Sequence, residues 1–429
     1  MLFKYTHRYC FFLLLGLLFP VLSAAETLQQ AWDIAIETDH GLQAVRENTQ
    51  ASQYHLKAAK AAHFPSVTVD AGYMAMENDP AARVNFGGLS TQFSLAERES
   101  YSYQAMTTLP IYTGGQISNG VEAASSSLQA SKKLEAGKVL DLKLIVAETY
   151  IGVLRATKAL EVANSHVASL KSHKADVENA YQQGMVSRND LLAAQVSLAD
   201  AVQSSIQVEN MLDISRSAYN RLLGRGFQEP VLLDELKPDV LNSSLEALTA
   251  QAIEQRYELR VLKGQADALN FKAKAIRGKN APQIGLSGGY GFQENEYQVH
   301  EGQWLVGVGI KWTLFDAGLI RNQSSATARQ ARALEQQYGE VLSRIKLQVR
   351  QYWLSVQETR KRLKVTEQSI SQAEENLKVN RDRYEHGLST NTDVLSAEAL
   401  RTGSQNNHAN ARYDAVLANI RLKRAISDL

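Results

Sequence analysis

Histidine, carboxylate and cysteine side chains are the groups that could give this sequence catalytic or metal-binding chemistry. The nine histidines show no metal-binding spacing combined with carboxylates; they lie at positions 7, 40, 55, 63, 166, 173, 300, 386 and 408. No phosphate-binding glycine loop follows a strand pattern. His166 and His173 fall in a coiled-coil pattern, where solvated side chains are expected. The sequence predicts a protein that is not an enzyme, with no cofactor and no metal site.

Two related polar stretches stand out instead, YQQGMVSRNDLL at 181–192 and YEHGLSTNTDVL at 384–395, which lie 203 residues apart. Each interrupts a helical pattern. Glycine commonly ends a helix in the left-handed conformation, and Ser, Thr, Asn or Asp then caps the start of the next helix. The simplest interpretation is that the polar residues are helix caps; the candidates are Ser187, Asn189, Asp190, Thr392 and Asp393.

Long helices must position these two stretches. No proline occurs between 111 and 229 or after 282, and both regions are rich in helix-favouring residues. Apolar residues recur every seven positions before each glycine, at Val146, Val153, Leu160 and Val167 and again at Val349, Val356, Leu363 and Ile370. A repeat of 3.5 residues predicts coiled coils, with helices resuming at 190–223 and 393–426. A pair of soluble antiparallel coiled coils would show the same pattern.

Upstream of each long helix the apolar period changes from 3.5 to 2. Four segments of about ten residues alternate between an apolar face and a small or polar face; they are 66–76, 101–111, 283–292 and 304–314. Such strands are long enough to cross a bilayer when tilted. Five aromatic residues lie on the apolar side, as in the aromatic girdle of a membrane barrel: Tyr73, Tyr101, Tyr290, Trp304 and Trp312. A half-buried soluble sheet is the alternative.

The chain reads as a tandem repeat. A helix at about 27–62 or 244–278 precedes two strands, a long helix, the glycine break and a final helix. The predicted organisation is a first repeat at 26–224, a connector at 225–243 and a second repeat at 244–429. The loop between the first two strands, about 77–100, is longer than its counterpart, and its polar, glycine-bearing sequence suits an extracellular loop.

Residues 1–25 have the pattern of a cleaved signal peptide. Lys4 and Arg8 precede the apolar run FFLLLGLLF, and small residues precede Glu26. Without this segment, which contains Cys10, no cysteine remains, and 44 basic residues balance 45 acidic ones. This balance does not suit a nucleic-acid-binding protein. No apolar run beyond the signal reaches the length of a membrane helix, so any membrane span must use strands.

Four strands cannot close a barrel, and open sheet edges are not tolerated in lipid. Three chains together would supply 12 strands, which is within the range of outer-membrane barrels. Helices of roughly 65 residues reach on the order of 100 Å and would project into the aqueous compartment on one side. The predicted fold is α plus membrane β, with long antiparallel coiled-coil hairpins that form a periplasmic barrel and four strands per chain in a shared 12-stranded trimeric β-barrel.

These features resemble the TolC-like outer-membrane factors of tripartite efflux and type I secretion. The resemblance covers essentially the whole mature chain and rests on the duplicated plan, the strand exits LPIYTGG at 109–115 and WTLFDAG at 312–318, and the two glycine breaks. It implies a homotrimeric, passive exit duct in the outer membrane, in contact with its lipid. The implied partners are a periplasmic adaptor and, indirectly, an inner-membrane pump of RND, ABC or MFS type. A periplasmic coiled-coil adaptor or scaffold is the alternative function.

The resemblance also assigns sites. The implied adaptor-docking tips are Gly184, Met185, Val186, Ser187, Arg188 and Asp190 in the first repeat, and Gly387, Leu388, Ser389, Thr390 and Asp393 in the second. The implied tunnel entrance comprises Tyr384, Asp393 and Ser396. The family often has an arginine and a second aspartate where Ser389 and Ser396 stand here. A tether built on those charges is therefore not expected, although three copies of Asp393 could form an acidic ring.

Overall fold

The computed structural model describes residues 25–239 and 243–429, so the predicted signal peptide lies outside it except for Ala25. The helices are α1 (Leu28–Thr38), α2 (His40–Ala61), α3 (Gln116–Gln182), α4 (Arg188–Leu222), α5 (Leu245–Gln255), α6 (Tyr257–Gly278), α7 (Leu319–Glu385) and α8 (Asn391–Ala425). The strands are β1 (Ser66–Ala75), β2 (Ala81–Phe86), β3 (Leu89–Ser94), β4 (Glu99–Tyr112), β5 (Gln283–Gln293) and β6 (Gly302–Lys311).

Two long helical hairpins dominate the chain, as predicted. We call α3 with α4 the first hairpin and α7 with α8 the second hairpin. Helices α3 and α7 have 67 residues each, about 100 Å at the rise of an α-helix. The predicted seven-residue pattern lies in their packed faces, because Val146, Val153, Val349 and Val356 are all buried. Within the described ranges, no helix combines the length and apolar character that a membrane crossing needs.

The helix that precedes each strand pair is broken, which corrects the prediction of single helices at 27–62 and 244–278. Asp39 and Arg256 adopt extended backbone conformations between α1 and α2 and between α5 and α6. The Asp39 carboxylate then caps α2 by accepting from the Leu42 N–H at 2.6 Å. One extended residue leaves the apolar periodicity on both sides intact, so the pattern alone could not reveal the break.

The four strands predicted for the membrane form one antiparallel sheet in the order β1-β4-β5-β6. Val69, Ala105, Tyr290 and Trp304 lie side by side across it. Because side chains alternate between faces, one face carries the valines and aromatic residues. The other face carries small and polar residues, as predicted, among them Ser66, Thr68, Gly285 and Gly289. Val69 and Val306 are 74% and 77% exposed, so no described part of the chain covers the apolar face at these positions.

The strand region differs from the prediction in two details. The loop at 77–100 contains a hairpin of its own, β2 paired with β3, so the described residues hold six strands. Strand β6 ends at Lys311, before the predicted girdle residue Trp312. The Trp312 indole N–H donates to the Asn280 carbonyl at 3.0 Å, at the junction with the helices.

Helix α8 belongs to two apolar cores. The first core joins it to α1, α3 and α4 and includes Val146, Tyr150 and Tyr413. The second core joins α8 to α5, α6 and α7 and includes Val349 and Leu422. The C-terminal half of α8 is therefore fixed on both sides, whereas its N-terminal end extends towards the glycine breaks.

Candidate entrance at the helical tips

The first tip is the turn between α3 and α4. Gly184 has φ of +74°, a left-handed conformation that glycine adopts without strain, and the Met185 N–H closes the helix end on the Ala180 carbonyl at 2.9 Å. Ser187 caps α4, and its hydroxyl accepts from the Asp190 N–H at 3.2 Å. The Asp190 carboxylate reaches back to the Ser187 N–H at 3.1 Å, which completes a capping box.

The second tip repeats this geometry between α7 and α8. Gly387 has φ of +68°, and the Leu388 N–H donates to the Arg383 carbonyl at 2.7 Å. Thr390 forms a capping box with Asp393, so the predicted cap Thr392 is wrong by two residues. The Ser389 hydroxyl also donates to the Asp393 carboxylate, at 3.1 Å. The Thr390 backbone N–H, with the Thr390 and Ser389 hydroxyls, holds the pKa of the Asp393 carboxyl below its usual range.

Most predicted tip residues lie at the surface. Gly184, Ser187, Arg188, Gly387, Thr390 and Asp393 are exposed, while Val186, Asp190 and Ser389 are half-buried. Met185 and Leu388 occupy equivalent positions one residue after the glycine, and they are 70% and 68% exposed. Each tip therefore presents one large apolar side chain beside capped polar backbone. Such a surface is chemically suited to contact another protein.

A buried contact that sequence reasoning missed joins the two hairpins near their tips. The His173 Nε2 atom lies 2.7 Å from the Asn391 Oδ1 atom, and the Asn391 side-chain amide donates to the Asp190 carbonyl at 3.1 Å. His173 is only 5% exposed, so its expected solvation is wrong. Asn391 lies within the second glycine stretch, but nothing in the sequence pairs it with a residue 218 positions away.

The predicted entrance residues have different environments. Tyr384 is half-buried, and its ring packs edge-on against His173 with 5.5 Å between ring centroids. Asp393 and Ser396 are both exposed. Asp393 holds its own cap, and no polar contact that the structure describes joins Ser396 to it.

A buried carboxylate lies next to this region. Glu398 is 1% exposed and accepts from Arg401 at 2.5 Å and from Arg381 at 3.4 Å. The same Arg381 guanidinium donates to the hydroxyl of Ser169 on α3. Two guanidinium groups compensate the desolvation of the carboxylate. No signal in the sequence indicated the burial of Glu398.

The predicted girdle residues lie at two ends of the sheet. Tyr73 and Tyr101 face each other with 4.9 Å between ring centroids, and Tyr290 and Trp304 do so at 5.4 Å. Trp312 lies eight residues after Trp304, near the helices. Aromatic residues thus flank the exposed valines at both ends. The eight residues from Trp304 to Trp312 span roughly 20 Å of membrane thickness if the strand is tilted and roughly 26 Å if it is upright. No group of metal-binding side chains occurs in the described part of the chain.

Comparison with known proteins identifies the family. Residues 32–225 and 248–427, more than half of the chain, match the family described as "Outer membrane efflux protein". Outer membrane protein TolC of Vibrio cholerae is 23% identical over 425 aligned residues, covering 94% of this chain and 91% of that protein. Alkaline protease secretion protein AprF of Pseudomonas aeruginosa is 21% identical, covering 92% of this chain and 83% of that protein.

Solved structures share the fold. The outer membrane channel CmeC of Campylobacter jejuni superimposes with a TM-score of 0.80 at 14% identity, covering 94% of this chain and 85% of that chain. CusC superimposes with a TM-score of 0.81 at 16% identity, covering 93% and 91%. The predicted fold class and the predicted resemblance are both confirmed. The chain belongs to the outer membrane efflux protein family, and it is a non-enzymatic duct of the outer membrane with a large periplasmic part.

Proposed function

We propose that three copies of this chain form one passive exit duct. The observation that carries the proposal is the four-stranded sheet: among the described residues, no strand pairs with its two edges, β1 and β6, and its apolar face is exposed. In lipid these edges need partners, because unpaired backbone groups cost several kcal/mol each, by order of magnitude. Antiparallel pairing of β1 with β6 of the next copy gives a closed barrel of 12 strands, with a wet interior.

In this assembly the first and second repeats, 26–224 and 244–429, are equivalent structural units joined by the connector 225–243. Equal lengths support the division, since α3 and α7 have 67 residues each and α4 and α8 have 35 each. Both hairpins then extend from the same end of the sheet into the periplasm. Their tips form the entrance of a helical tunnel, and the aromatic residues at the two ends of the sheet contact the lipid interfaces.

The tips are the proposed docking site for a periplasmic adaptor, through which the duct works with an inner-membrane pump. The support is the pair of equivalent, exposed apolar residues, Met185 and Leu388, beside capped turns that hold a fixed shape. An adaptor with its own helical ends could pack apolar side chains against them and bond to their backbone. The secretion function named for AprF of Pseudomonas aeruginosa and efflux both suit such a duct.

Cell fractionation combined with native mass measurement in detergent tests the assembly. The expected result is an outer-membrane protein with the mass of three mature chains. A soluble periplasmic monomer would overturn the proposal, since that species would leave the apolar sheet face in water.

Two tip variants test docking separately from assembly. Gly387→Pro cannot adopt the observed φ of +68°, because proline fixes φ near −65°, and Asp190→Lys reverses a charge at the first tip. Both are expected to form trimers yet lose transport. Asp200→Lys, the same charge reversal at an exposed position ten residues further along α4, is the control and is expected to transport normally. Normal transport by both tip variants would exclude docking at the tips.

A further inference from the structure

The β2–β3 hairpin has no counterpart among the described residues of the second repeat. Its two strands are joined by Gly87 and Gly88, which both have positive φ, as a type I′ turn requires. The helices adjoin the opposite end of the sheet, since α2 ends before β1 and α3 begins after β4. The hairpin therefore lies at the end of the duct that faces away from the periplasm. We call residues 81–94 the blade.

The blade has one apolar face and one polar face. Directly paired residues share a face. The pairs of the apolar face are Ala82 with Phe93, Val84 with Thr91 and Phe86 with Leu89, and the polar face carries Arg83, Asn85, Ser90 and Gln92. Phe86 and Leu89 are 86% and 78% exposed, so no described part of the chain covers the apolar face there. Because a two-stranded hairpin is at best marginally stable by itself in water, this face needs a partner.

The base of the blade is fixed to the loop between β5 and β6. In this loop, the side-chain amide of the buried Asn295 donates to the Leu95 carbonyl at 3.1 Å. The loop lies over the polar face of the sheet. It encloses a cavity whose lining combines loop and sheet residues: Gln298, His300 and Glu301 with Asp70, Gln104 and Gln303. In the proposed barrel the polar face surrounds the lumen, so the blade is attached on the lumen side of the rim.

The blade is long enough to reach the axis of the proposed duct. Its strands have six residues each, which gives a length of about 20 Å. Twelve strands spaced by about 4.8 Å and tilted by about 40° form a barrel with a radius of about 12 Å. Three blades on one rim also have an effective concentration of roughly millimolar for one another. Their ends can therefore meet over the opening.

Charge distinguishes between two surfaces that could cover the apolar face, an anionic lipid layer and another blade. The segments outside the paired tyrosines, 76–99 and 293–302, contain two arginines and seven carboxylates, which are Glu77, Asp79, Glu97, Glu99, Glu294, Glu296 and Glu301. Anionic head groups attract basic segments, so this acidic rim does not suit them. Within the blade, Arg83 is the single charged residue and lies on the polar face. Three apolar faces can thus meet without burying a charge.

We propose that the three blades of the duct pack their apolar faces together over its exit and form a lid. The inference rests on the proposed duct, because each chain supplies one blade. Phe86 and Leu89, which flank the turn, form the centre of the lid near the threefold axis, while Arg83 and Gln92 face water. Because apolar contacts alone join the blades, cargo can separate them without breaking an ion pair.

Cysteine crosslinking in intact cells tests the contact between blades. The chain after residue 25 contains no cysteine, so each variant carries a single thiol. Leu89→Cys lies on the apolar face and is expected to join two copies under mild oxidation, which a non-reducing gel shows as a dimer. Ser90→Cys, the next residue and on the polar face, is the matched control and should stay uncrosslinked.

Access to the lumen from outside gives a second readout, which does not depend on the periplasmic entrance. Thr68→Cys places a thiol on the lumen face near the helices, and a maleimide too large for porins reaches it only through the exit. Adding Phe86→Ser and Leu89→Ser should accelerate labelling about tenfold or more, because burial of each large apolar side chain favours a contact by at least that factor. Adding Asn85→Ala and Gln92→Ala, on the polar face, should leave the rate unchanged.

The outcomes separate the lid from the duct. Outer-membrane trimers in which Leu89→Cys stays uncrosslinked, or in which Ser90→Cys crosslinks equally, would overturn the lid and leave the duct standing. Equal labelling of Thr68→Cys with and without the apolar blade residues would do the same. A Leu89→Cys thiol that is uncrosslinked and protected from a water-soluble reagent would overturn the lid by placing this face in lipid. Protein that forms no outer-membrane trimer would instead overturn the duct.

Discussion

At the scale of single residues, the two tips are alike in backbone and different in charge environment. Ser187 and Thr390 both cap the following helix, and Asp190 and Asp393 both complete a capping box. Asp393 has an additional donor, the Ser389 hydroxyl. Its carboxylate is exposed and ionised at neutral pH, as a group that faces a wet entrance would be.

We expect Asp393→Asn to reduce cation selectivity, because in the proposed trimer three copies of this ionised carboxylate would surround one entrance and attract cations. Reversal potentials across a salt gradient measure this selectivity. Asp190→Asn, which alters the matching residue of the first tip, should leave the selectivity nearly unchanged. Equal effects of the two variants on selectivity would contradict a specific role of Asp393 at the entrance.

Acid should loosen the second tip through the same carboxyl group. The pKa of Asp393 is lower in the folded tip than its ordinary value of 3.8. The ionised group therefore stabilises the tip above about pH 4, and this stabilisation is lost as pH falls through the folded value. We expect the exchange protection factors of the first amides of α8 to fall with acidification in the wild type. Asp393→Asn should show no such fall in protection. A fall of equal size in this variant would show that a group other than Asp393 causes the pH dependence.

At the scale of elements, each turn depends on a glycine in the left-handed conformation, whereas Gly339 lies in regular helix. Gly184 and Gly387 have φ of +74° and +68°, and an added Cβ would meet nothing there. The cost of replacing them is therefore backbone strain alone. Gly339 lies inside α7, is exposed, and likewise has open space around it.

Gly387→Ala should destabilise the second tip by about 1 kcal/mol, because a Cβ disfavours the left-handed conformation. Gly339→Ala should stabilise α7 by about 0.5–1 kcal/mol, because alanine is the better helix former. Melting temperatures of detergent-solubilised trimers should shift in opposite directions. Shifts of the same sign would mean that contacts between chains, and not local conformation, control these positions.

At the scale of the whole molecule, the sheet links membrane insertion to assembly. Leu305 and Val306 are neighbours in β6, and each pairs with a glycine of β5, but they lie on opposite faces. Val306 is on the apolar face with Trp304 and Val308, whereas Leu305 is on the polar face.

Val306→Lys should destabilise the inserted barrel by about 2–4 kcal/mol, because a charge on the lipid face near the midplane is costly. Leu305→Lys should insert nearly normally, because its side chain faces the wet interior. The amount of folded protein in the outer-membrane fraction measures the difference. Equal loss in both variants would argue against a lipid-facing role for the apolar face.

Local patterns in the sequence predicted most of the fold. The 3.5-residue period located α3 and α7, the two-residue period located β1, β4, β5 and β6, and the glycine stretches located both tips. These features are local, because side-chain direction follows from backbone repeat alone. The breaks at Asp39 and Arg256 escaped detection because one extended residue does not disturb the apolar pattern around it.

The sequence by itself determined the duplicated hairpin plan, the strand faces and the family. Only the tertiary structure decided which polar groups hold the tips together. His173 and Asn391 are 218 residues apart, and Glu398 of α8 is buried beside Arg381 of α7, which also bonds to Ser169 of α3. Hydrogen bonds between distant residues depend on how helices are docked, and docking depends on packing over the entire seam. The composition of a single tip therefore cannot show which distant residues contact it.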